Sequence, residues 1–123
     1  MSLVNIDIDG PIATVTMNRP DKRNAMSDAL LEEIGAFFRN RPKEVKVAIL
    51  TGTAGHFCSG LDLAEHVERS AEDGVYHSRN WHRTLDDIQF GGLPVISAMF
   101  GAVIGGGLEL ATATHVRIAE PST

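Results

Sequence analysis

The chain has 123 residues, of which 43% are hydrophobic and 22% charged, and a formal net charge of -5. These proportions are those of a globular protein, and the length supports one core, not two full domains. They exclude a disordered chain, and no run approaches the roughly 18 uninterrupted apolar residues of a spanning helix. The acidic balance argues against a general nucleic-acid binder, whose surface carries a basic face. The single cysteine, Cys58, permits no intrachain disulfide and points to a reducing, cytoplasmic setting. Asp7 and Asp9 interrupt the first apolar run, so the start reads without a signal peptide.

Residues 4–9 alternate Val4, Ile6 and Ile8 with Asn5, Asp7 and Asp9, and residues 12–17 alternate less cleanly. Asp9-Gly10 between them is a turn signal, so a β-hairpin is expected. Residues 27–40 carry Leu30, Leu31, Ile34, Phe37 and Phe38 on one helical face. Ser27 fits the N-cap, Asp28 suits the positive start, and Pro42 stops the helix beyond Arg39 and Arg41. The run 45–51 reads as a buried strand, 53–60 as a loop and 61–69 as a short helix. Residues 75–90 read as a longer helix with Trp81, Leu85 and Ile88 on one side. Pro94 opens a strand over 95–100, Gly105-Gly106-Gly107 lead into a helix ending near Thr114, and 115–119 form a last strand. The order β-β-α-β-α-α-β-α-β indicates an α/β layered fold without internal repeats or a linker.

Two glycine-bearing segments each lie between a buried strand and a helix: His56-Phe57-Cys58-Ser59-Gly60-Leu61-Asp62 and Gly105-Gly106-Gly107-Leu108-Glu109. In a parallel sheet that is the edge where ligand crevices form. At the second, glycine lets a ligand approach the backbone, and the free amides of a helix start can hold an enolate or oxyanion. Glu109, in the first turn, can move a proton while they do so. The competing reading is a tight turn before a helix, with Glu109 only a partner of the helix dipole. For Cys58, two residues from His56, a buried structural thiol outweighs a nucleophile. Ser59 lies outside a G-x-S-x-G elbow. The five histidines, His56, His66, His77, His82 and His115, lack metal-ligand spacing, so no metal is expected. Residues 18–24 cluster Arg19, Lys22 and Arg23, either as an exposed charged loop or as a clamp for an anionic ligand. Arg39, Arg41, Lys43 and Lys46 read as a solvated helix end.

Three segments in this order, Asn-Arg-Pro-Asp-Lys-Arg-Asn-Ala, Phe-Cys-Ser-Gly-Leu-Asp-Leu and Gly-Gly-Gly-Leu-Glu-Leu, resemble those of the enoyl-CoA hydratase/isomerase family, the crotonases. The resemblance implies an α/β spiral of ββα units, incomplete in this chain, with residues 1–123 as the N-terminal part of a single crotonase-like domain. It implies an acyl-coenzyme A substrate without a further cofactor, and assembly as trimers or pairs of trimers, with no nucleic-acid or membrane partner. By the motif match, Leu61 and Gly106 offer two backbone amides to the thioester oxygen as it becomes an enolate. Glu109 matches the first acidic catalytic residue of the hydratases. Ser59, Leu61 and Asp62 would line the pantetheine and acyl path, and Lys22, Arg23 and Ala25 would meet the nucleotide end of the coenzyme. Leu61, Leu63, Trp81 and Phe100 fit a hydrophobic acyl site but fit the core better. The second glutamate of the hydratases would fall beyond Thr123. A hydratase of fatty acyl thioesters is the expected activity. A double-bond isomerase, a non-catalytic acyl-CoA-binding protein or inactive fragment, and an unrelated nucleotide-binding α/β domain are the alternatives.

Overall fold

A computed structural model describes residues 2–65 and 69–123. Its five strands lie in one sheet in chain order. They are β1 (Val4–Asp9), β2 (Ile12–Met17), β3 (Val47–Gly52), β4 (Val95–Met99) and β5 (Val116–Ala119). The hairpin β1–β2 is antiparallel, and every later pairing is parallel. Gly10, at φ 58°, makes the tight turn between the first two strands.

Register explains the burial. Ala13, Ala48 and Val95 are cross-strand neighbours, as are Val15, Leu50 and Ser97. All six are fully buried and form one face of the sheet. Two long helices supply the other side of the core: α1 (Asp28–Asn40) with Leu30, Leu31, Ile34 and Phe38, and α2 (Ala71–Gln89) with Trp81 and Ile88. A third, α3 (Gly106–Ala113), buries Leu110 and Ala111. Ile6 and Ile8 point to the same face from the edge strand β1 yet stay 42% and 46% exposed.

Ser27 caps α1 as expected, its hydroxyl accepting from the Leu30 amide at 3.1 Å. The second helix begins at Ala71, four residues before the expected Val75, because the Ser70 hydroxyl accepts from the Asp73 amide and Glu72 and Asp73 favour the positive end. A one-turn 3-10 helix, Pro20–Lys22, breaks the loop after β2. Of the short helix expected over residues 61–69, His66, Val67 and Glu68 lie outside the described residues. Residues 63–65 form a turn, and Leu61 is paired in extended form with Met26. No described helix is long and apolar enough to cross a membrane.

Candidate active site

The parallel strands β2, β3 and β4 end at Met17, Gly52 and Met99. The three segments that follow them run on side by side. Cys58 donates its amide to Ala102 O at 3.0 Å and accepts from the Ile104 amide at 3.1 Å. Met26 does the same against Gly60 O at 2.7 Å and the Asp62 amide at 3.0 Å. So the motif segments form a small parallel layer at the C-terminal edge of the sheet, the position where open α/β sheets bind ligands.

Asn24 ties this layer to the strands. It is fully buried in left-handed backbone at φ 58°, a conformation Asn tolerates. Its amide nitrogen donates to His56 O at 2.8 Å and Thr53 O at 3.2 Å, and its oxygen accepts from the Arg19 amide at 2.8 Å. Sequence reasoning did not single it out, since nothing local marks a side chain that ties its own loop to residues 53–56, about 30 positions on.

Gly60 sets the direction of one amide. Its φ of 106° is glycine territory, and a Cβ there would lie 2.9 Å from Ile104 O. Its carbonyl turns to Met26, and a trans peptide carries N–H opposite C=O. The Leu61 N–H therefore points away from Met26, and the start of α3 lies beside Gly60. There the Gly107 amide is taken by Ile104 O and the Leu108 and Glu109 amides by Gly105 O. The Gly106 N–H, at the first helical position, is left without an intrahelical acceptor. Neither the Leu61 nor the Gly106 amide has a hydrogen-bond partner among the described residues. The two are neighbours: the Gly106 nitrogen is 3.7 Å from where a Gly60 Cβ would stand, and Leu61 Cδ2 is 3.5 Å from where a Gly106 Cβ would stand.

Both residues line a cavity of about 240 Å³ with His77, Ser78, Trp81, His82 and Glu109. Glu109 stands one turn after Gly106 on α3. One of its oxygens, Oε2, accepts from the Trp81 indole nitrogen at 3.0 Å. Trp81 was expected in the core. It is buried, at 7% exposure, but its polar edge belongs to this cavity. His77 stacks beside it, ring centroids 6.4 Å apart, with Nδ1 2.7 Å from Asp28 Oδ1. Asp28 also takes Arg69 at 2.9 Å. Burial pushes the Asp28 carboxyl up, but the His77 and Arg69 hydrogen bonds outweigh it and hold the group below its ordinary value.

The basic cluster of residues 18–24 divides. Arg19 is not available to an anion: it pairs with Asp62 at 2.8 Å and donates to Ala25 O at 2.9 Å. The Arg19–Asp62 hydrogen bond holds the Asp62 carboxyl below the usual carboxylate range. Lys22 and Arg23 are exposed and make no ion pair among the described residues. Ser59 joins them, its hydroxyl donating to Lys22 O at 3.1 Å and its amide to Arg23 O at 3.1 Å. Ala25 is partly buried between these groups and Met26. Cys58 is fully buried, and desolvation pushes its thiol up, against nucleophilic use. His56 accepts the Ala102 amide at 2.9 Å through Nδ1, so it braces a loop rather than serving Cys58.

The enoyl-CoA hydratase/isomerase family model matches residues 7–123. Enoyl-CoA hydratase domain-containing protein 2, mitochondrial, of Homo sapiens is 37% identical over 118 residues, 93% of this chain and 40% of its own length. The (E)-benzylidenesuccinyl-CoA hydratase of Thauera aromatica is 34% identical over 120 residues, 94% of this chain and 46% of its own. A crystal structure from Rhodopseudomonas palustris CGA009, provisionally named an enoyl-CoA hydratase, superposes with a TM-score of 0.94 at 45% identity, over 98% of this chain and 47% of that one. The chain thus spans less than half the length of these relatives. With the family model covering nearly all of it, the chain belongs to the enoyl-CoA hydratase/isomerase family.

Proposed function

We propose that the protein serves as an enoyl-CoA hydratase, adding water across the 2,3 double bond of an acyl-coenzyme A thioester. The observation that carries this reading is the pair of neighbouring amides, Leu61 and Gly106, without partners among the described residues and opening on the cavity that Glu109 lines. In the proposed reaction Glu109 takes a proton from water as its oxygen bonds to C3. The π electrons move through C2 onto the thioester oxygen, and the two amides hold the enolate. Glu109 then gives that proton to C2, the enolate collapses to the thioester, and the carboxylate is restored. Amides fixed in a folded backbone need no reorganisation when charge develops, and one such donor is worth about 2.7–4 kcal/mol in a related setting.

Ser59 and Leu61 line the proposed pantetheine path, which Asp62 shapes through its ion pair with Arg19. Lys22 and Arg23, free of acidic partners among the described residues, supply charge for the phosphates of the nucleotide end, with Ala25 beside them. In this proposal the coenzyme enters as part of the substrate, no other cofactor takes part, and the protein works in the cytoplasm as a trimer or a pair of trimers. The test is hydration of crotonyl-CoA, followed by loss of the conjugated thioester absorbance. Glu109→Gln should lower kcat about a hundredfold or more. Absence of hydration by the wild-type protein, or an unimpaired Glu109→Gln variant, overturns the reading.

A further inference from the structure

We infer that Trp81 is a positioning residue for the proton-transfer step, fixing Glu109 and the start of α3 together. The inference rests on the proposed role of Glu109 and deepens it. Helix α2 brings Trp81 to the cavity wall, where it makes two contacts at once. Its indole nitrogen donates to Glu109 Oε2 at 3.0 Å. Its ring edge lies against Gly106, Cη2 and Cζ2 standing 3.2 and 3.3 Å from where a Cβ on that residue would be. The glycine is thus what lets the indole pass close enough to reach the carboxylate.

The consequence is chemical. Glu109 is exposed on a short helix, and a free glutamate there samples several rotamers. A buried indole N–H has one direction and one proton to give. By holding Oε2, it leaves Oε1 as the oxygen presented to substrate and fixes the carboxylate relative to the Gly106 amide one turn away. Sub-ångström placement of a base is worth large factors in rate, whereas ground-state binding of the coenzyme does not depend on it. Trp81 therefore acts on kcat and little on KM.

Two variants and one spectrum test this. Trp81→Phe keeps an aromatic ring against Gly106 and removes the donor. It should lower kcat for crotonyl-CoA about tenfold or more while KM stays within about threefold. The protein has one tryptophan, so its indole N–H gives a single, unambiguous NMR cross-peak. That peak should move upfield in Glu109→Ala and stay in place in Glu72→Ala, a change at the exposed start of α2, the helix that carries Trp81. A stationary indole peak in Glu109→Ala overturns the inference whatever the activity, because the spectrum needs no turnover. A Trp81→Phe protein with wild-type kcat, or with kcat and KM equally affected, also overturns it. Failure of the hydratase reading itself is seen separately, as a wild-type protein that does not hydrate crotonyl-CoA.

Discussion

Gly107→Ala should be among the most damaging small changes in this chain. A Cβ at position 107 would stand 2.2 Å from Cys58 O, 2.9 Å from Cys58 C and 3.0 Å from its Cβ. The obstacle is backbone, not the end of a mobile side chain. Nor can it retreat easily, since Cys58 is held on both sides by Ala102 and Ile104. An ordinary contact needs more than 1 Å of movement by α3 or by the 57–62 segment. Overpacking typically costs about 1–3 kcal/mol, and with both partners pinned the upper figure is the floor here. With a urea m-value of about 1–3 kcal/mol/M, the midpoint should fall by at least about 1 M. Gly74→Ala is the control. It lies within α2 with nothing within 4 Å of its Cβ position, and should gain about 0.5–1 kcal/mol from the reduced freedom of the unfolded chain. Equilibrium urea denaturation of both variants decides the matter. A Gly107→Ala midpoint within about 0.3 M of wild type would refute the claim that this glycine is what lets α3 abut the Cys58 segment.

Further predictions concern charge and reactivity. Asp62 is held below its unfolded value of 3.8 by Arg19, so the pair contributes fully above that pH and its contribution disappears as pH falls through the lower folded value. Asp62→Asn should lower stability at neutral pH and flatten the loss of stability on acidification, as read from denaturation midpoints against pH; an unchanged acid limb contradicts this. Cys58, buried with its thiol pushed up, should react with a disulfide reagent only as fast as the protein unfolds. Rapid modification of the native protein would show the segment to be open.

Most of the scaffold could be read from pattern alone. The hairpin turns on Asp9-Gly10, α1 carries its own cap and apolar face, and the glycine triplet announces the start of α3. What failed locally did so for identifiable reasons. The start of α2 lies in an acidic stretch, Ala71 to Gly74, without apolar periodicity, and only the Ser70 cap marks it. Residues around Leu61 carry apolar spacing that suits a helix, yet Met26, 35 positions earlier, draws Leu61 into a strand-like pairing.

The candidate site was legible as motifs but not as geometry. Gly60, Leu61, Gly106 and Glu109 stand out in sequence, whereas their meeting depends on parallel strands that no local signal specifies. The Arg19–Asp62 pair and the Trp81–Glu109 hydrogen bond join residues 43 and 28 apart. In each case one partner had a satisfactory local explanation, Arg19 as part of a charged loop and Trp81 as a core aromatic. Long-range pairing displaced those explanations because a buried ion or indole N–H must find a partner.

The account stands or falls on whether the Gly106 amide holds the thioester oxygen. Acetoacetyl-CoA is an enolisable thioester, and the enolate absorbance it gains on binding reports stabilisation of that oxygen. Gly106→Pro removes the N–H at a first-turn position where proline breaks no intrahelical bond. Gly106→Ala brings the same Cβ against Trp81 but keeps the donor, so the difference between the two isolates the hydrogen bond. The account predicts a bound enolate with the alanine variant and affinity lower by about a hundredfold or more with the proline variant. Equal enolate formation by two folded variants would contradict it.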